Sequence, residues 1–330
     1  MSKPALIVRR NGMLYCPPGD FYIDPLRPVD RAVITHAHAD HARSGSGHYL
    51  ASRASLPLLR HRLGARAQLA SLGWSEPIRI KDTRVSLHPA GHILGSAQVR
   101  IEHRGRVAVA AGDYKRAPDP TTPQFEVLAC DEFVSEATFG LPVYRWPAIG
   151  RVVDELLDWW QQCQAEQRPA VLFCYALGKA QRLLAELAPF TGRTVWLHGA
   201  MVPLTEIYRQ QGVKMPPTRP FSEWPRKQPP KGELIIAPPS AAGSPWMRRL
   251  RGASTAFASG WMRIRGNRRR RGYDRGFILS DHADWPDLVR SCEETGAERI
   301  HIHHGNGEAL ASYLSKKGRL AGPPPPMREA

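Results

Sequence analysis

Four side chains within six residues carry the densest chemistry in the chain: His36, His38, Asp40 and His41, in the string HAHADH. Imidazole and carboxylate are good ligands for zinc, manganese or iron, and their number sets how many ions can be held. Residues 32–35, AVIT, read as a strand that ends where this cluster begins. A tight loop directly after a strand can aim His36 and His38 at one metal and turn Asp40 and His41 toward a second. Four ligands do not complete two sites, so more are expected at strand ends downstream. His92 sits in the glycine turn PAGH, Asp113 follows the apolar run 106–111, and His304 follows 299–303. A single histidine in a turn is more often structural than liganding. Three such positions, in a chain that already holds a histidine cluster, favour a metal centre.

Those ligands need a scaffold of short strands. Residues 84–88 and 97–102 alternate as strands around a turn bounded by Gly91 and Gly95, 106–111 read as a buried strand, and 132–136 as another. Leucines at near-helical spacing over 55–72, followed by Gly73, predict a helix that stops there. Then the texture changes. Residues 149–164 read as an amphipathic helix, 170–175 as a buried strand and 178–187 as the helix after it, with strand signals again at 194–198 and 233–237. Strands alternating with helices predict a parallel α/β unit. The Pro-rich, basic stretch 216–232 reads as a surface loop, 284–295 as a helix, and the tail 322–330, with four consecutive prolines, as frayed. His301 and His303 alternate with Ile302 on the last strand, which puts both on the face opposite His304 and suits a structural role. His198, at another strand end, is not assigned to the site.

A length of 330 residues suits two domains at about 150 residues each. Lys and Arg number 46 against 30 Asp and Glu, a net charge of +16 that attracts polyanions. Ten arginines lie between Arg248 and Arg275 against one acid, Asp274, with Trp246, Trp261 and Tyr273 interleaved. Arginine with aromatics suits phosphate gripping and base stacking, so Arg263, Arg265, Arg268, Arg269, Arg270, Arg271 and Trp261 are expected to bind nucleic acid. The plainer alternative is a solvated loop. No run approaches the roughly 20 apolar residues of a membrane span, and the first twenty residues lack a signal-peptide core. The five cysteines form no CxxC pair, which argues against a disulfide framework or a thiolate zinc ribbon and for a reducing, cytoplasmic location.

Taken in order, HxHxDH, GH, GD and HG resemble the motif series of the metallo-β-lactamase fold. Asp24, in Tyr22-Ile23-Asp24-Pro25, is similar to that fold's early aspartate, which supports the metal loop. Residues 135–140, SEATFG, resemble motif A of the β-CASP branch, whose members cut DNA or RNA. Residues 280–285, SDHADW, resemble its motif B with His282, and His304-Gly305 resembles the histidine form of motif C. Within that branch, residues 19–24, 36–41, 89–98, 259–262 and 280–285 resemble the bacterial ligase-associated DNA exonucleases, and the likeness omits only the proline tail.

The resemblance implies an α/β fold: an αββα metallo-β-lactamase sandwich from residues 1–140 and 280–330, with a small α/β β-CASP domain, 141–279, inserted. It implies two divalent metal ions, zinc or manganese. His36, His38 and His92 would hold the first; Asp40, His41 and His304 would hold the second, with Asp113 bridging. The implied activity is exonucleolytic hydrolysis of single-stranded DNA in repair, by a hydroxide that the two metals activate. Asp40 would belong to the catalytic set, and His282 would donate a proton to the leaving oxygen while Glu136 orients its other ring nitrogen. The arginine run ends just before His282, where it could bring phosphates to the metals. RNA processing by the same site is the main alternative. Thioester hydrolysis is a lesser one, since it leaves the arginines and motifs A and B without a purpose. An ATP-dependent DNA ligase and a helicase are implied as functional partners.

Overall fold

The structure, a computed structural model, describes residues 4–264 and 272–327; Arg265, Arg268, Arg269, Arg270 and Arg271, expected at the nucleic acid, lie outside the described residues. The chain divides into two units, residues 1–144 with 282–330, and residues 145–281.

In unit 1, β1 (Val8–Arg10), β2 (Met13–Cys16), β3 (Phe21–Ile23), β4 (Arg31–Val33), β5 (His48–Ser52) and β6 (Leu69–Leu72) form one sheet in sequence order. A second sheet runs from β7 (Ile78–Ile80) through β8 (Thr83–Pro89), β9 (Ala97–His103), β10 (Arg106–Ala110) and β11 (Glu132–Ser135) to the late strands Arg299–Ile302 and Leu320–Gly322. The period of two along β10 explains the layering. Ala108 and Ala110 face inward, with Val85, Val99 and Val134, against Leu14, Ile23, Val33 and Leu50 of the first sheet. Val109, one residue out of phase, faces outward with Phe133 and Ile300. That outer face is covered by Trp285, Leu288 and Cys292 of helix Trp285–Glu294 and by Leu310 and Leu314 of helix Glu308–Lys316. Each fully buried Val, Leu or Phe contributes about 1.5–3 kcal/mol to this stack.

In unit 2, β12 (Ala170–Phe173), β13 (Val195–Leu197), β14 (Thr218–Pro220), β15 (Leu234–Ala237), β16 (Ser254–Ala258) and β17 (Arg275–Phe277) form a parallel sheet in the order β14-β13-β15-β12-β16-β17. AVLF and LIIA are buried at every position because both faces of a parallel sheet are covered. Helices Ile149–Ala165 and Lys179–Leu187 close one face, and Phe221, Leu250 and Met262 close the other. With two sheets in unit 1 and one in unit 2, the chain is mixed α/β, consistent with a metallo-β-lactamase-like fold.

Four local expectations need correction. The helix expected over 55–72 ends at Leu63, where Gly64 adopts φ +86°; Leu69–Leu72 then pairs in parallel with β5. Within the Pro-rich loop, Thr218–Pro220 adds an edge strand, a position where proline is tolerated, and Phe221 is buried beneath it. The tail is tied down as far as Met327. Leu320–Gly322 pairs in parallel with Arg299–Ile302, Arg9 N–H donates to Pro325 O (2.8 Å), and Met327 N–H donates to Arg9 O (2.8 Å). Finally, strand alternation stops at Ile302, so His303 and His304 do not take opposite faces; their rings lie 4.1 Å apart. Among the described residues, no helix is long and apolar enough to cross a membrane.

Candidate metal centre

Five strands of unit 1 end at the centre. His36, His38, Asp40 and His41 follow β4, His92 follows β8, Asp113 follows β10, Glu136 follows β11, and His304 follows Arg299–Ile302. His282 comes just before helix Trp285–Glu294. Two glycines allow the close approach. A side chain at Gly112 (φ +60°) would collide with Thr35, and one at Gly305 (φ +72°) with the Ala137 carbonyl.

The first group is His36, His38, His92 and Asp113. His36 Nε2 and His92 Nε2 each lie 3.1 Å from His38 Nδ1, and they lie 3.6 and 3.8 Å from Asp113 Oδ2. A tetrahedral ion with arms of ~2.1 Å would space its ligands by about 3.4 Å, so this donor set fits one. The same Asp113 oxygen lies 3.4 Å from His41 Nε2, which is itself 3.8 Å from Asp40 Oδ2. The His304 ring is 5.1 Å from that of His41. This half is more open: the Asp40 side chain is 70% exposed, and His304 is exposed with φ +67°.

Proton bookkeeping shows which ring nitrogens face the ligand side. The Thr35 hydroxyl donates to Asp24 Oδ2 (2.5 Å), so at His36 Nδ1 (3.0 Å) it must accept. His36 Nε2 therefore keeps its lone pair. Asp24 Oδ2 also faces His41 Nδ1 (2.8 Å) and accepts its proton, which aims Nε2 of that ring at Asp113; Asp24 Oδ1 accepts the Thr35 N–H (2.8 Å). Asp24 and Thr35 thus orient two candidate ligands from behind, as outer partners of metal-binding histidines do. Asp24 was noticed in the sequence. Thr35 was not, and its hydroxyl directly before the histidine cluster was the available signal.

The groups of the centre shift one another's titration strongly. Burial holds His36 well below the usual imidazole range, with His41 adding to the effect. Burial also pulls His41 down, but Asp113 and Asp24 override it and hold its pKa well above normal. Burial works to raise Asp113, yet His41 and His282 hold its carboxyl well below the usual range.

His282 Nδ1 meets both oxygens of Glu136, at 3.1 and 3.0 Å, and lies 3.9 Å from Asp113 Oδ2. Glu136 Oε1 also accepts the Tyr114 N–H (2.8 Å), so its position is fixed by backbone. His301 is buried, and burial with Arg299 nearby pushes it down to about 4; burial with His304 beside it pushes His303 down to about 3. Both shifts favour the neutral ring. In unit 2, His198 Nδ1 accepts the Ala200 N–H (3.2 Å) with its ring against Trp246; Arg263 is exposed, and Trp261 packs on the apolar core. Sequence reading also missed a buried cluster there: Asp281 sits 2.7 Å from Lys179 and 3.5 Å from Arg182.

No family model matches the chain. A probable DNA ligase of Opitutus terrae is 34% identical over 313 residues, covering 92% of this chain and 30% of the relative. Ribonuclease TTHA0252 of Thermus thermophilus is 26% identical over 219 residues, covering 57% of this chain and 47% of the relative. An RNase J-like protein of Methanocaldococcus jannaschii is 21% identical, covering 55% and 50%. The chain thus spans half or less of the length of these relatives. A crystal structure of an Enterococcus faecalis protein of unknown function shares the fold, with a TM-score of 0.62 at 13% identity over 91% of this chain and 80% of that one.

Proposed function

We propose that this chain is a metal-dependent nuclease of the metallo-β-lactamase type, with residues 141–279 as its β-CASP domain, that hydrolyses phosphodiester bonds of single-stranded DNA. One observation carries the proposal: a single oxygen, Oδ2 of Asp113, lies 3.6, 3.8 and 3.4 Å from Nε2 of His36, His92 and His41. His36, His38 and His92 would hold one ion, Asp40, His41 and His304 a second, and Asp113 both. Two divalent ions so placed supply Lewis acidity to the phosphoryl oxygens and activate water at neutral pH.

The protein's own groups supply the rest. Glu136 faces Nδ1 of His282, so the ring can hold a proton on its other nitrogen, Nε2, for the leaving oxygen. At 20% exposure the His282 side chain remains reachable by substrate. Asp113 gathers the two halves, and Asp24 and Thr35 keep His41 and His36 in register.

The ligase-named relative supports DNA and a functional association with a DNA ligase. The ribonuclease-named relatives favour RNA as the second reading. End-labelled single-stranded DNA and matched RNA, each with manganese or zinc, decide between them. The expected result is a ladder shortening from one end of the DNA. Cleavage of RNA alone would reassign the substrate, and no cleavage of either strand would contradict the proposal.

A further inference from the structure

Unit 2 contains a cleft of about 670 Å³ lined by Arg145, Arg151, Arg263, Arg275, Trp146 and Tyr273. That volume lies within the usual range of ligand pockets, roughly 300–1,000 Å³. The cleft runs beside the edge strand β17, which among the described residues pairs with β16 alone. Four guanidinium groups meet two carboxylates there, and both carboxylates are engaged. Glu155 pairs with Arg151 (2.9 Å), and Asp274 accepts from the Thr255 N–H (2.8 Å) and hydroxyl (3.1 Å). The balance at the cleft is positive, and Arg145, Arg151, Arg263 and Arg275 are all exposed.

The aromatic side chains narrow the kind of anion. Tyr273 stacks on Phe257, with centroids 5.2 Å apart and planes at 13°, and also packs on Phe173. It is a fixed ring, already ordered before a ligand arrives. Trp146 is half-buried and lines the same cleft. Fixed rings interleaved with guanidinium groups suit a strand whose bases are unstacked and free to lie on a side chain. A free phosphate would need only the arginines, and a duplex keeps its base faces covered.

We infer that this cleft binds a short stretch of single-stranded nucleic acid, with Arg145 and Arg275 on its phosphates and Trp146 and Tyr273 against its bases. This rests on the proposal that the chain acts on nucleic acid. Arg145, Trp146 and Arg151 did not stand out in the sequence because about a hundred residues separate them from the arginine run. The fold brings the two ends of unit 2 together at β17.

The test is fluorescence anisotropy of a labelled 20-nucleotide oligothymidylate over a series of salt concentrations, in chelator so that no turnover intervenes. The double variant Arg145→Ala/Arg275→Ala is expected to bind at least tenfold more weakly near 0.1 M salt. Its plot of log affinity against log salt should be shallower by about 0.7 for each phosphate no longer neutralised. Arg145→Lys/Arg275→Lys, which keeps the charge, should restore most of that slope. Trp146→Ala should weaken binding several-fold with the slope unchanged. Wild-type affinity and slope in the double alanine variant would overturn the cleft, as would equal weakening by the lysine variant. Wild-type protein that binds the oligonucleotide but cleaves no strand with any metal would contradict the proposed nuclease instead and leave the cleft standing.

Discussion

Thr35 shows how much of the centre depends on one proton. Its hydroxyl has a single hydrogen, given to Asp24, so His36 must donate from Nδ1 and present Nε2. Thr35→Val keeps the shape and removes that bond; metal affinity is expected to fall by about 10- to 100-fold, with Thr35→Ser close to wild type, as read by competition with a chromogenic chelator. His41 gives a pH prediction. Its folded pKa is raised by Asp113 and Asp24, so in metal-free protein its contribution to stability is full below the unfolded value of about 6.5 and is lost as pH rises through the folded value. The melting temperature of chelated protein should therefore fall with pH above that point, while metal affinity rises as the proton leaves. A flat or rising melting curve for chelated protein in that window would contradict the charge assignment. The histidine cluster was legible in the sequence because its members are local. Thr35 was not, because its partner Asp24 lies 11 residues away and meets it only where β3 and β4 run side by side.

At the scale of elements, strand ends do the positioning and glycines set the tolerances. Gly305 turns the chain after Arg299–Ile302 with φ +72°, against the Ala137 carbonyl. Gly305→Ala is expected to displace His304 and to lower occupancy of the more open half of the centre while the group around His38 stays filled. Metal analysis of the dialysed variant should give fewer ions per chain than wild type; an unchanged content would show that His304 is not a ligand. The apolar runs at β8, β10, β11, β12 and β15 were readable because burial on one or both faces leaves a clear pattern. The leucines of 55–72 misled for a physical reason. Leu56–Leu63 is helical and Leu69–Leu72 is a strand, and the break at Gly64 depends on the pairing with β5 that spacing alone does not show.

At the scale of the whole molecule, a net charge of +16 sets how the protein meets a polyanion. Neutralising Arg268, Arg269, Arg270 and Arg271 together should weaken binding of all single strands alike and flatten the salt dependence, by about 0.7 for each phosphate those side chains would otherwise neutralise. Metal content should not change. Normal binding by that variant at physiological salt would make the run a solvated loop. Composition points toward polyanions but does not say which arginines line a cleft, since Arg145 and Arg151 join Arg263 and Arg275 only in the folded unit 2.

The centre built on Asp113 is tested most directly by strand cleavage measured against equivalents of metal added to chelator-stripped protein. Wild type should be inactive without metal and reach full rate only as a second equivalent binds, and Asp113→Asn should stay inactive throughout with its fold intact by circular dichroism. Full activity in chelator, a plateau at one equivalent, or an active Asp113→Asn variant would contradict a two-metal centre that shares this carboxylate.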